Sequence, residues 1–273
     1  MPFRLRIGQK SDIGNYRENN EDNVAVQKLT EEGRCELVVC LVADGMGGQL
    51  AGEKASQMAN EVIARELKHG YRDVHNFEQV RELIRKATLR ANQEIIELGE
   101  YDREYSNMGT TIVLAVWLPQ FRDDCLYVSW LGDSRAYLVR DGKIEQLTVD
   151  HSIAQALVEA GVISQEEARV HRFRNRLWKY LGTPEVGEGP EVKLVYLRPG
   201  DRFLLCTDGL TGVVDDAKLC EVVSQAADPQ CCAEELVRLA LDCDSKDNVS
   251  CVTIFVEEGS QPEASIAAEQ VTG

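Results

Sequence analysis

The sequence predicts an α+β fold layered around antiparallel sheets, and three observations carry the prediction. Strands and helices come in blocks (strands, two helices, strands, two helices, a strand) instead of alternating as parallel βαβ units require. The second block of strands is a meander whose connection Asp141-Gly142 is a dipeptide favoured in type I′ hairpins. Finally, the two long patterns at 52–68 and 77–98 keep their apolar residues on one face, so each needs a sheet to cover.

Taken in order, residues 3–7 read as a short strand, and 11–23 as a polar stretch too hydrophilic for a core. A strand at 24–29 leads through the turn Glu31-Glu32-Gly33 into the apolar run 37–43. That run is short, rich in β-branched residues and ended by Asp44-Gly45, which predicts a strand buried on both faces. Beyond Gly52, residues Ala55, Met58, Ala59, Val62, Ile63 and Leu67 recur at helical spacing, and a second amphipathic helix is predicted over 77–98. Strands follow at 110–118, 125–131, 135–139 and 144–147. Residues 152–190 break the rhythm with short helical pieces and a Gly- and Pro-rich exit, and read as a lid-like insertion. Strands resume at 192–197 and 202–207, helices cover 216–224 and 229–241, and 249–256 is the last strand. Residues 1–257 are expected to form the functional domain, and 258–273, without apolar periodicity, a disordered tail.

The chain has 30 Lys and Arg against 46 Asp and Glu, a formal net charge of −16. That balance disfavours nucleic acid or an anionic membrane as a general partner. The longest apolar run falls far short of the ~20 residues of a membrane span, and the N-terminus has no signal-peptide core. A cytoplasmic monomer is expected. The nine cysteines include no C-x-x-C spacing, and Cys40, Cys206 and Cys251 lie in strand-like runs. They are expected as buried, reduced thiols, with the adjacent pair Cys231-Cys232 on a helix.

The chemistry lies in aspartates repeated at strand ends. Asp44 follows 37–43, Gly132-Asp133 follows 128–131, Asp208-Gly209 follows 203–207, and Asp247-Asn248 opens the last strand. If these strands share a sheet edge, four carboxylates converge, and a buried carboxylate without a partner is costly or neutralised. Hard oxygen ligands in that number, without His or Cys ligand spacing, suit Mg2+ or Mn2+ over zinc. Two such ions about 4 Å apart would acidify a water for in-line displacement at phosphorus. Arg17 offers a planar donor fork for a phosphate, and Glu21 and Asp22 add carboxylates. Each signal also has a plainer reading. A single Asp-Gly is most often a turn, and Arg17 alone a surface ion pair. Gly45-Met46-Gly47-Gly48 lacks the third glycine of a dinucleotide loop, since Leu50 stands there. His69, His75, His151 and His171 read as surface or cap residues. Arg169, His171, Arg172, Arg174, Arg176 and Lys179 form a basic cluster that is either simply solvated or a contact for an acidic phosphopeptide or a kinase.

Arg17-x-x-Asn20-Glu21-Asp22, Ala43-Asp44-Gly45-Met46-Gly47-Gly48, Met108-Gly109-Thr110-Thr111, Leu131-Gly132-Asp133-Ser134-Arg135, Thr207-Asp208-Gly209 and Asp247-Asn248-Val249-Ser250 stand in that order. Together, over about residues 4–256, they resemble the metal-dependent Ser/Thr protein phosphatases of type 2C in their compact bacterial form. The resemblance implies two stacked antiparallel β-sheets flanked by helix pairs, an αββα sandwich. It implies Mn2+ or Mg2+, two per site with a third in bacterial members. It also implies hydrolysis of phosphoserine and phosphothreonine in proteins by a metal-activated water, reversing a Ser/Thr kinase. The expected partners are therefore phosphorylated proteins and a cognate kinase. Carried over position by position, Asp44 bridges both ions, the Gly45 carbonyl binds one of them, and Asp208 and Asp247 bind the other. Asp22 acts through metal-bound water, Arg17 holds the phosphate, and Asp133 helps form the third metal site. Arg17, Asp22 and Asp44 are thus the expected catalytic residues. The chain departs from the family at Met46 and Gln49, where members carry His. The resemblance then leaves a metal-bound water to protonate the leaving alkoxide. Two other classes are a different metal-dependent phosphohydrolase, such as a phosphodiesterase, and a non-catalytic sensor protein on the same fold. Retention of every ligand position argues against the second.

Overall fold

Alternation along the central strands builds three apolar layers. In the computed structural model, which describes residues 3–31, 34–48, 50–187 and 189–259, strand β3 (Arg34–Met46) is buried on both faces. Leu37, Val39, Leu41 and Ala43 enter one core, and Val38, Cys40 and Val42 enter the next. A period of two produces this division, because successive side chains of a strand point to opposite faces. The same holds in β10 (Arg202–Cys206), where Phe203 and Leu205 face the middle core and Leu204 and Cys206 an outer one.

The first sheet has the order β2 (Asp22–Glu31), β3, β5 (Ile112–Leu118), β6 (Arg122–Leu131) and β9 (Glu191–Tyr196). The two-residue β4 (Gly109–Thr110) pairs with the end of β3. The second sheet runs β1 (Phe3–Asp12), β11 (Val249–Glu258), β10, β7 (Arg135–Arg140) and β8 (Lys143–Gln146). Every pairing among the described strands is antiparallel. Helices α1 (Leu50–Gly70) and α2 (Phe77–Tyr101) bury Ala55, Ala59, Ile63, Ile84, Ala91 and Ile95 against the outer face of the first sheet. After the short α3 (Ile153–Glu159), α4 (Gln165–Arg169) and α5 (Asp208–Thr211), helices α6 (Asp216–Gln225) and α7 (Pro229–Asp242) cover the second. The result is the αββα sandwich.

Several details depart from the sequence pattern. β1 continues to Asp12 because its antiparallel pairing with β11 holds through Gln9, Lys10 and Ser11. An edge strand with one wet face needs no apolar residues there. α5 was not anticipated: Asp208-Gly209 opens one helical turn instead of a simple reversal. The β7–β8 hairpin does turn at Asp141 and Gly142 with φ of 52° and 71°, as a type I′ turn requires. β11 runs to Glu258, and the stretch expected as a tail lies outside the described residues from 260 on. Cys40, Cys125, Cys206, Cys232 and Cys251 are buried free thiols, Cys220 is a half-buried one, and Cys231 and Cys243 are exposed. Among the described residues no helix is long and apolar enough to cross a membrane.

Candidate metal centre

The aspartates gather where the ends of the two sheets meet, which corrects the expectation of a single shared sheet edge. Asp22, at the start of β2, is the direct register partner of Asp44 near the end of β3. Cross-strand partners point to the same face, so the two carboxylates stand opposite one another, an arrangement that repels. The Asp44 backbone is held firmly. Its carbonyl accepts from Thr111 N–H at 2.9 Å and Thr110 Oγ1 at 2.9 Å, and its N–H donates to Thr111 Oγ1 at 3.1 Å. A Cβ on Gly45 would fall 2.1 Å from the Gly52 carbonyl oxygen and 2.6 Å from that of Glu21. Only glycine lets the strand end, the start of α1 and the polar N-terminal loop approach this closely.

The second sheet supplies Asp208 and Asp247. Thr207, the residue before α5, joins the two sheets: its Oγ1 donates to Asp22 Oδ2 at 2.9 Å and accepts from Ser250 N–H at 3.1 Å. Asp247 Oδ2 accepts from Arg17 Nη2 at 2.7 Å, and its Oδ1 accepts from Asn248 N–H at 2.8 Å. Arg17 is thus an ion-paired residue at the rim, its side chain 49% exposed. Asn248 fastens the loop that carries it: Nδ2 donates to the Ile13 and Asn19 carbonyls, and Oδ1 accepts from Glu21 N–H. Asp133 stands on the turn after β6. Its neighbour Arg135 commits a bidentate fork to Asp150, at 2.6 to 3.2 Å.

The electrostatics follow from this crowding. Burial, then Asp22, Asp208, Asp133 and Asp247, hold the Asp44 carboxyl well above the usual range. Asp133 is raised by burial and then by Asp208 and Asp150, with Arg135 opposing. Asp22 is raised by burial against the lowering effect of the Ser250 and Thr207 hydrogen bonds. Asp208 is raised by burial and Asp247, and lowered by a hydrogen bond with Asp44. Its Oδ1 is buried with no hydrogen-bond partner, and an unsatisfied buried polar atom costs about 1–3 kcal/mol. Oxygen donors of like charge, raising one another and including one orphaned atom, fit a hard divalent cation. Among the described residues no three carboxylates are preassembled around one point, and Asp247 and Asp22 are engaged by Arg17 and Thr207. The fit therefore lies in the chemistry and placement of the donors.

Other expectations change. His151 is buried, not a surface or cap residue, and accepts Gly132 N–H on Nδ1. Lys179 is also buried and pairs with Glu191, so it leaves the basic cluster. Met46 ends β3, while Gln49 lies outside the described residues. Thr207, Asn248, Thr111 and Ser134 lie inside the quoted motifs, but the hydrogen bonds by which they brace the site left no sequence signal.

With this geometry in view, the sequence profile described as Protein phosphatase 2C matches residues 8–249. The chain belongs to the protein phosphatase 2C family. It is 31% identical over 245 residues to a Listeria innocua protein named serine/threonine phosphatase stp, covering 90% of this chain and 93% of that one. The serine/threonine phosphatase of S. agalactiae superposes with a TM-score of 0.82 at 29% identity, covering 93% of this chain and all of the other. The catalytic domain of the phosphatase PstP, crystallised with two manganese ions, superposes with a TM-score of 0.77 at 32% identity, covering 94% of this chain and 100% of that one. The 2C family comprises metal-dependent phosphoserine and phosphothreonine hydrolases, and this member is a protein-serine/threonine phosphatase. Neither the phosphodiesterase nor the sensor alternative is favoured.

The raised carboxyls have a consequence for stability. In chelator, the folded 2C domain retains protons that the unfolded chain, with Asp pKa of about 3.9, releases earlier. The folded state then binds more protons than the unfolded state, so stability falls as pH climbs from about 4 through the raised range. Asp44→Asn removes the group that four other aspartates raise. In chelator at pH 8 it should melt above the parent, by about 2–4 °C for each kcal/mol of repulsion relieved. Scanning calorimetry checks this, and a lower melting temperature would contradict it.

Proposed function

We propose that this phosphatase holds two Mn2+ or Mg2+ ions with Asp44, the Gly45 carbonyl, Asp22, Asp208 and Asp247, and a third with Asp133 and Asp208. The support is chiefly one observation: carboxyls from both sheets crowd together and are held above the usual range, while a buried Asp208 oxygen lacks any hydrogen-bond partner. When bound, such ions neutralise charge on the phosphoryl oxygens and lower the pKa of the attacking water. The chain's own residues do the positioning. Asp44 is aimed by Thr110 and Thr111, and Asp22 is anchored by the Thr207 hydroxyl. Arg17 keeps one nitrogen on Asp247 and offers its other N–H groups to the phosphate dianion. The Met46 thioether has no proton to give, so the leaving alkoxide takes its proton from solvent in the site.

The substrates are phosphorylated proteins, and the enzyme reverses a cognate Ser/Thr kinase in the cytoplasm as a monomer. Free thiols at Cys40, Cys125, Cys206, Cys232 and Cys251 suit a reducing compartment. The inserted segment 152–190 selects among substrates. Arg169 and Arg174 line a cavity of about 320 Å³ together with Asp133 and Asp208. Neither has an ion-pair partner among the described residues, whereas Arg172 stacks over Phe173. Of the basic cluster, these two guanidinium groups are the ones set to meet acidic residues flanking the phosphate.

Phosphopeptide hydrolysis should disappear in chelator and return with Mn2+ or Mg2+, and Asp44→Ala should abolish it under all conditions. Full turnover in excess chelator would remove the metal requirement. Arg17→Ala should lower kcat/KM by roughly 10- to 100-fold, the size of a charge-assisted hydrogen bond of about 1.5–3 kcal/mol. Parental kinetics would take Arg17 out of phosphate binding. Arg169→Ala with Arg174→Ala should reduce kcat/KM for acidic phosphopeptides more than for a small aryl phosphate. Equal losses on the two substrates would assign the segment a structural role alone.

A further inference from the structure

The turn that presents Asp133 is held from two sides. On the first, Gly132 has φ 108°, and a Cβ there would fall 2.6 Å from the Thr111 side chain. Thr111 Oγ1 also lies 2.7 Å from Ser134 Oγ, so the residues on both sides of Asp133 bear on Thr111. On the second side stands His151. Gly132 N–H donates to His151 Nδ1 at 3.0 Å, and His151 N–H donates to the Gly132 carbonyl at 2.9 Å. Both bonds join the same two residues, so the peptide entering the turn cannot rotate without breaking at least one.

His151 is also where the inserted segment is tied down. Trp178 N–H donates to the His151 carbonyl at 3.0 Å, and the two rings meet edge-on with centroids 5.2 Å apart. The neighbouring Ser152 forms a β-bridge with Leu177. An Nδ1 that accepts a backbone N–H carries no proton, which places the ring proton on Nε2 and leaves the imidazole neutral. Burial, followed by the Lys179 ammonium, keeps it so by lowering its pKa to about 4. Neutrality holds the acceptor in place throughout the physiological range. Among the described residues His151 has no hydrogen bond to any of the five aspartates; it reaches the site through Gly132.

We propose that His151 is a positioning residue: its Nδ1 fixes the Gly132 peptide and so aims the Asp133 carboxylate, and its packing with Trp178 makes that aim depend on the docked inserted segment. The inference rests on the reading of Asp133 given above. It adds a mechanical link between the segment that selects substrates and one of the carboxylates that serve the reaction.

The test compares His151→Ala, His151→Asn and Trp178→Ala in the full chain. In Asn, Oδ1 is bonded to Cγ as Nδ1 is in His, so it accepts from Gly132 N–H at the same reach. Hydrogen exchange in chelator should be about tenfold faster over residues 131–135 in His151→Ala, as expected for loss of one backbone hydrogen bond. His151→Asn should exchange like the parent there, Trp178→Ala should show a smaller increase, and peptides over 22–31 and 202–206 should not change. With Mn2+ and a phosphopeptide, His151→Ala should lose about tenfold in kcat with KM within about twofold, and Asn should recover most of it. Unchanged exchange at 131–135, equal acceleration across all strands, or an Asn variant that behaves like Ala would overturn the proposal. An unchanged turn in Trp178→Ala would overturn the link to the inserted segment. Asp133→Ala is the control: if it keeps parental kcat, the role given to Asp133 falls, and the exchange data still decide whether His151 holds the turn.

Discussion

Crowding of aspartates where the ends of the two sheets meet is the constraint on which this protein is organised. Asp22 and Asp44 face each other across one ladder, Asp208 and Asp247 come from the other sheet, and Asp133 stands on a turn beside them. Apolar packing alone would not hold such a cluster together, since Asp22, Asp208, Asp133 and Asp247 all raise Asp44. The fold does so with bracing residues placed around the cluster. Thr110 and Thr111 hold Asp44, Thr207 reaches across the sheets to Asp22, and Asn248 pins the loop bearing Arg17 and Glu21.

The three apolar layers make that bracing possible. Strands β3, β5 and β6 carry rows of side chains into two cores at once, so their ends have little freedom to move when the carboxylates repel. The site is therefore placed at the rim of strands packed on both faces. The inserted segment, by contrast, carries the exposed Arg169 and Arg174, and contributes to the site from one side.

Much of this was legible in the sequence, for physical reasons particular to each stretch. The 37–43 run was readable because β3 is buried on both faces, and α1 and α2 because each buries one stripe. The aspartates were readable because each follows or opens a core strand beside glycine or asparagine. What stayed hidden depends on contacts distant in sequence. Two sheets, not one, bring the aspartates together, and pairing between sheets leaves no trace in local periodicity. His151 has the same surroundings in sequence as a capping residue would, and its burial comes from Gly132, nineteen positions earlier, and from Trp178. The Arg17–Asp247 pair spans almost the whole chain. β1 outran its apolar pattern because backbone pairing with β11, not side-chain burial, sustains it through Asp12.

The proposed function requires the ends of the two sheets to form one cation site. Anomalous diffraction from crystals grown with Mn2+ tests it most directly, because it locates the ions without reference to activity. The account expects manganese peaks lying between Asp22 and Asp44 of the first sheet and Asp208 and Asp247 of the second, and their loss in crystals of Asp44→Ala. Manganese found only elsewhere on the surface, or peaks that survive Asp44→Ala unchanged, would contradict it.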